Sequence, residues 1–183
     1  TGCSVGFRLL RSGYTGFLAR LRRSSDDAVA DFAPLKTGDF PVNDALNFAA
    51  GSDLFVRTLY DQSGNSNNMN QTTLALQPQF ISRVEGLNNR PAMLITEASS
   101  IGLFATTSAS IDNMWATNGI TFMVCRNTTA TLTQGDRFWD KFRSFAFLQA
   151  ADCTLRFQQT ATGNGVWANS TPIAANTSMQ IDW

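Results

Sequence analysis

The sequence predicts an all-β protein, a two-sheet antiparallel jelly-roll sandwich carrying one or two short helices. Most apolar residues fall in short segments that alternate with polar residues or run unbroken between turn formers. Helical periodicity is scarce. Fourteen phenylalanines in 183 residues supply the bulky side chains that a core between two sheets takes up.

The elements follow in order. Phe17, Ala19 and Leu21 fall on one face of a first strand, with Arg20 and Arg22 on the other. Further strands are expected at 54–60, 79–82, 92–96 and 101–105. The stretches 120–125 and 145–148 are apolar on both faces and read as central strands. Leu155 and Phe157 then alternate with Thr154, Arg156 and Gln158, and Met179, Ile181 and Trp183 alternate with Gln180 and Asp182. Phe122, Val124, Phe145, Phe147, Leu155 and Phe157 are the expected interior. A helix is expected at 43–50, with Asn43 as cap, Leu46, Ala49 and Ala50 on one face, and Gly51 as stop. A second helical turn is expected at 7–11, halted by Gly13. One domain over 1–183 fits the length.

Composition excludes several function classes. Lys plus Arg and Asp plus Glu both number 14, whereas a nonspecific nucleic-acid binder is basic. Five arginines, Arg8, Arg11, Arg20, Arg22 and Arg23, crowd the start, but Asp26, Asp27 and Asp31 follow, so a solvated strand edge with local ion pairs is expected. No apolar run reaches the length of a membrane-spanning helix. The absence of histidine removes Ser-His and Cys-His nucleophile pairs and every histidine-based zinc site. No cofactor or metal is implied. Three cysteines lack CxxC spacing; a Cys125–Cys153 disulfide with Cys3 left over, or reduced packed thiols, both fit. Asn70, Asn127, Asn169 and Asn176 open Asn-x-Ser/Thr sequons, which matter in a protein secreted from a glycosylating cell. The chain starts at Thr1 rather than Met and stops on an alternating strand pattern. The expectation is a processed or truncated product, or a last strand completed by a neighbouring subunit.

Local chemistry concentrates in two places. In Tyr60-Asp61-Gln62-Ser63-Gly64-Asn65, a strand ends in a turn where Gly and Asn tolerate positive φ and Asp and Ser bond backbone amides. Asp61, Gln62, Asn65 and Asn67 could form an oxygen-rich cup for a sugar or calcium, but one carboxylate is few for a hard cation, and a structural turn over Asp61, Gln62, Ser63, Gly64 and Asn65 is preferred. Trp115 and Trp139, the latter flanked by Asp136 and Asp140, are the candidate carbohydrate-binding residues, because a flat ring complements the CH face of a sugar. Against this stand a core or anchoring role for each tryptophan and a solvated loop for Asp136 and Asp140.

The turn, together with Arg8-Leu9-Leu10, Tyr14-Thr15-Gly16, Arg22-Arg23-Ser24-Ser25-Asp26, Asn43-Asp44-Ala45, Gln77-Pro78 and Asn89-Arg90-Pro91-Ala92, resembles concanavalin A-like, laminin-G-like modules. Such modules occur in arabinofuranosidase B-type enzymes and in phage and bacterial surface proteins. The resemblance runs from about residue 7 to 106. For the enzymes it implies retaining glycoside hydrolysis by two carboxylates and a vicinal Cys-Cys pair against the sugar. This chain has only Glu85 and Glu97 as glutamates, both in turn-like stretches, and its cysteines are isolated. The leading expectation is therefore a non-enzymatic extracellular or virion-surface module for glycan contact, adhesion or assembly. Two alternatives stand beside it: a glycoside hydrolase of arabinofuranosidase type with its carboxylates outside this sequence, and a structural phage or filament subunit.

Overall fold

The structure, a computed structural model, describes residues 3–95 and 101–105 in full and the backbone of six later strands. The chain divides into two compact units, Thr1–Ile120 and Thr121–Trp183. The described strands pair antiparallel throughout, and one α-helix accompanies them.

The first unit is built on a seven-stranded sheet. Its strands are β1 (Ala19–Arg23), β2 (Val29–Phe32), β3 (Leu54–Leu59), β4 (Met69–Asn70), β5 (Gln79–Val84), β6 (Arg90–Leu94) and β7 (Phe104–Ala105). They run in the order β2-β1-β3-β4-β7, with β5 pairing β3 and β6. Alternation in β1 sends Ala19 and Leu21 into the core, while Arg20 pairs across the ladder with Asp31. The helix α1 (Val42–Ala49) lies between β2 and β3 in sequence and buries Ala45 and Ala49, one turn apart. Phe7, Phe40 and Phe80 form an aromatic knot, with ring centroids 5.3–5.4 Å apart.

The second unit holds β8 (Phe122–Arg126), β9 (Asp136–Lys141), β10 (Ser144–Leu148), β11 (Thr154–Gln159), β12 (Gly165–Pro172) and β13 (Ser178–Asp182). Four of them form a sheet in the order β12-β11-β10-β9, and β13 pairs β8.

Several expectations change. No helical turn forms at 7–11. Leu9 donates its N–H to the Gly38 carbonyl, and Gln62 takes the Leu10 N–H and the Arg8 carbonyl, so the groups a local turn would pair are bound at long range. The helix carries no side-chain cap from Asn43; Pro41 is its N-cap, Ala50 adopts the left-handed conformation at its end, and Leu46 is 49% exposed. β1 is not an edge: it lies between β2 and β3, and Arg22 is buried. Of the two runs expected as central, 145–148 corresponds to β10, inside the four-stranded sheet, whereas 120–125 corresponds to β8, paired among the described residues with β13. Phe122, Val124, Phe145, Phe147, Leu155 and Phe157 lie on strands whose side chains are outside the described residues, as is Trp183.

Candidate functional site

β3 ends at Leu59, and the chain turns through residues 61–67, where Gly64 at φ 92° and Ser66 at φ 58° supply left-handed backbone. Asp61 sits buried at the base of that turn. Its Oδ1 accepts the N–H of Ser63 at 2.9 Å and of Ser4 at 2.8 Å, and its Oδ2 accepts the Ser63 hydroxyl at 2.6 Å and the Asn67 N–H at 3.0 Å. Burial opposes the charge, but these bonds outweigh it and hold the carboxyl below its ordinary value. Four donors occupy the sites a carboxylate offers, which leaves none for calcium or a sugar hydroxyl.

Gln62, fully buried beside it, accepts the Leu10 N–H and donates to the Arg8 carbonyl, both at 2.8 Å. Arg11 donates to the Ser63 carbonyl at 2.8 Å and the Cys3 thiol to the Asn67 carbonyl at 3.3 Å. The turn therefore clamps the N-terminal segment. Burial and the nearby Asp61 charge push the Cys3 thiol up to about 11.

A second cluster lies on the sheet face opposite the core. Arg20 forks onto Asp31, with Nε to Oδ1 at 2.9 Å and Nη2 to Oδ2 at 2.6 Å, and the Tyr60 hydroxyl donates to Oδ1 at 2.7 Å. The Arg20 bond holds the Asp31 carboxyl below its usual range. Burial and the bond to Asp31 push the Tyr60 hydroxyl up to about 12. The Tyr60 ring tilts against Phe17 at 6.0 Å. Sequence reasoning placed the arginine but missed the cluster; the signal was the acid eleven residues on, across the β1–β2 hairpin.

Arg22 is satisfied internally. Nε donates to Gln77 Oε1 and Nη1 to Asp27 Oδ1, both at 2.7 Å, and the guanidinium lies 4.8 Å from the Phe55 ring centre. The other paired carboxylates are Asp26 with Arg23, Asp39 with Arg90 and Asp53 with Gln79. A cleft of about 260 Å³ at the start of α1 is lined by Leu35, Phe40, Pro41, Val42, Asn43 and Asp44. One carboxylate there cannot perform a two-carboxylate hydrolysis. Among the described residues no group of three or more Cys, Asp or Glu could hold a metal ion.

The sequence-predicted sugar residues are not brought together by anything described. Trp115 lies outside the described residues. Asp136, Trp139 and Asp140 stand on β9, opposite Leu148, Ala146 and Phe145 respectively, on a strand rather than the expected loop. The strand forms because β9 pairs along the apolar β10, with Trp139 opposite Ala146 and Arg137 opposite Phe147 and a register shift at Phe138 between them. Asn70 is exposed on β4; its Oδ1 accepts the Thr58 hydroxyl at 2.9 Å and its Nδ2 donates to the Asn68 carbonyl at 3.2 Å. Asn169 is on β12 and Cys125 on β8, while Asn127, Asn176, Cys153 and Glu97 lie outside the described residues. Glu85 opens a single 3-10 turn before β6.

Residues 2–136 match the family described as alpha-L-arabinofuranosidase B, catalytic. The chain belongs to that family. Alpha-L-arabinofuranosidase B of Aspergillus oryzae is 39% identical over 67 residues, covering 35% of this chain and 13% of that protein. The Penicillium canescens enzyme is 39% identical over 67 residues, covering 35% of this chain and 14% of its own. A crystal structure of an arabinofuranosidase complexed with arabinofuranosyl-α-1,2-xylobiose shares the fold, with a TM-score of 0.63 at 18% identity, over 98% of this chain and 45% of that one. A mutant GH54 α-L-arabinofuranosidase soaked with 4-nitrophenyl α-L-arabinofuranoside superposes with a TM-score of 0.56 at 19% identity, over 91% of this chain and 38% of its own. The chain thus spans less than half the length of these solved enzymes.

Family membership corrects the leading expectation. The reading as a non-enzymatic adhesion, assembly or virion-surface module rested on missing histidines, carboxylates and a Cys-Cys pair. Those absences do not exclude the enzyme, because the stretch shared with each of these two curated arabinofuranosidases is a minor part of its length. The structural phage or filament subunit falls with it.

Proposed function

We propose that this chain contributes to an α-L-arabinofuranosidase, a hydrolase of α-L-arabinofuranosyl bonds in neutral glycans. The observation that carries it is the family match over residues 2–136. The mechanism proposed is retaining, with a nucleophile and an acid/base carboxylate about 5 Å apart across the scissile bond. The described carboxylates of the first unit suit scaffold better than catalysis. Asp26, Asp27, Asp31, Asp39 and Asp61 are each held by an arginine or by backbone amides. The reacting pair is proposed to lie outside these 183 residues. The architecture proposed is the two-layer jelly-roll sandwich, and the setting extracellular, where polymeric glycans are met.

The test is release of 4-nitrophenol from 4-nitrophenyl α-L-arabinofuranoside by the full-length protein and by residues 1–183 alone. Turnover by the full-length protein only is expected. No turnover by folded full-length protein would refute the activity, and turnover by residues 1–183 would refute the placement of the carboxylates.

A further inference from the structure

We propose that Asn70 carries an N-linked glycan whose first N-acetylglucosamine lies on the ring of Phe104. The extracellular setting rests on the proposed function; the site rests on the sequon and the register. Asn70-Gln71-Thr72 is an Asn-x-Ser/Thr sequon with no proline at its centre. Of the four sequons it is the one whose side chains are described. Asn70 closes the two-residue strand β4, and Gln71 and Thr72 leave the sheet. Asn70 and Thr72 are both exposed, so the acceptor amide and the hydroxyl that transfer requires stand in solvent. Met69 packs against the core, which sends its neighbour Asn70 to the opposite face.

The hydrogen bonds of Asn70 survive attachment. Its Oδ1 accepts the Thr58 hydroxyl, and an N-glycosidic amide keeps that oxygen. The hydroxyl of Thr58, a buried residue, thus keeps its partner. Nδ2 has two hydrogens; one goes to the Asn68 carbonyl and the other is replaced by the sugar. A glycosylating cell supplies the donor, a lipid diphosphate-linked oligosaccharide. The bond from Nδ2 to the sugar C1 forms as the bond from C1 to the diphosphate oxygen breaks. One Nδ2 proton is lost and the lipid diphosphate leaves.

Phe104 sets where the first sugar lies. It stands directly opposite Asn70 on β7, so the two side chains project on one face with Cβ atoms about 5 Å apart. At 64% exposure it is the most exposed large apolar residue among the described residues. A flat ring in water beside an attachment point suits the CH face of a sugar. Among the described residues β7 also ends the β2-β1-β3-β4-β7 ladder, and a bulky hydrophilic cover there guards the corner against pairing with another chain.

The test uses full-length protein secreted from a eukaryotic host. Peptide mapping after enzymatic glycan release, which converts an occupied asparagine to aspartate, should find Asn70 occupied. Asn70→Gln and Thr72→Ala should each abolish that signal. With glycans trimmed to the first sugar, the resonances missing from Asn70→Gln identify the one on Asn70. Its CH protons should be shifted upfield by the Phe104 ring current. Phe104→Leu, which keeps apolar volume without a ring, should remove the shift and leave the site occupied. The trimmed protein should have a folding equilibrium constant about three to ten times that of Asn70→Gln, a gain lost in Phe104→Leu. An empty Asn70 in secreted, folded protein, or an unshifted sugar on it, would overturn the proposal. An occupied Asn70 with a shifted sugar, in a protein that cleaves no 4-nitrophenyl α-L-arabinofuranoside, would keep the proposal and refute the activity. An empty Asn70 in a protein that cleaves it would do the reverse.

Discussion

Asp61 shows how much one side chain can hold in this fold. The sequence marks it as a turn acceptor, since Asp followed by Ser and Gly makes local amide bonds. What the sequence does not show is Ser4, 57 residues earlier, whose N–H shares the same oxygen as that of Ser63. Asp61→Ala would leave the amides of Ser4, Ser63 and Asn67 without their acceptor. At about 1 kcal/mol for each lost bond, the expected loss is roughly 2–4 kcal/mol in denaturant unfolding. Asp61→Asn should recover only part, because an NH₂ in place of Oδ2 would face the Asn67 N–H, donor against donor. A loss below 1 kcal/mol for the alanine variant would show that water replaces the carboxylate. Arg22 was the reverse case. It reads as a solvent-facing residue of an alternating strand, yet Gln77, 55 residues on, and Phe55 cover it. Local pattern carries no information about partners at that separation.

At the scale of elements, strands with a clear apolar rhythm were legible: β3, β5, β11 and β13 lie within a few residues of their expected positions. β2 was not, because Asp31 interrupts its apolar pattern and makes sense only across the ladder from Arg20. β4 and β7 hold two residues each, too few for any rhythm. The helix was legible in position but not in orientation. Leu46 is the larger apolar residue, yet the core admits the small side chains of Ala45 and Ala49 and leaves Leu46 half in water. Leu46→Gln should therefore change stability by no more than about 0.5 kcal/mol, as surface substitutions do. Ala45→Leu, at a position with 0% exposure, should cost about 1–3 kcal/mol by overpacking. Thermal denaturation of the two variants decides this, and equal effects would mean that α1 can rotate about its axis.

At the scale of the whole molecule, function was the least legible property, because two carboxylates meet across a sugar only when distant strands bring them together. Stability against pH is more tractable. Cys3 rises from an ordinary 9.0 to about 11 and Tyr60 from 10.0 to about 12, each through burial, with Asp61 and Asp31 respectively adding to the rise. A raised value means that the folded state holds its proton longer than the unfolded state does. The stabilisation is therefore complete below pH 9 and fades as pH climbs from 9.0 towards 12. Both groups are partly solvated, so the effect is smaller than the shifts alone imply. The acid side runs in the opposite sense. Asp26, held at about 2 by Arg23, and the lowered Asp31 and Asp61 favour the folded state above their ordinary value of 3.8, and lose that contribution as pH falls below it. Melting temperature should thus form a plateau from about pH 4 to 9 with a decline on each side. Cys3→Ser keeps a donor for the Asn67 carbonyl but removes the titrating thiol, so it should flatten the segment between pH 9 and 11 and leave the acid limb untouched. Tyr60→Phe should flatten the next segment, between pH 10 and 12, at the cost of the bond to Asp31. If Cys3→Ser melts with the wild-type slope between pH 9 and 11, the thiol is not coupled to folding, and the clamp of residues 61–67 on the N-terminal segment opens before the protein unfolds.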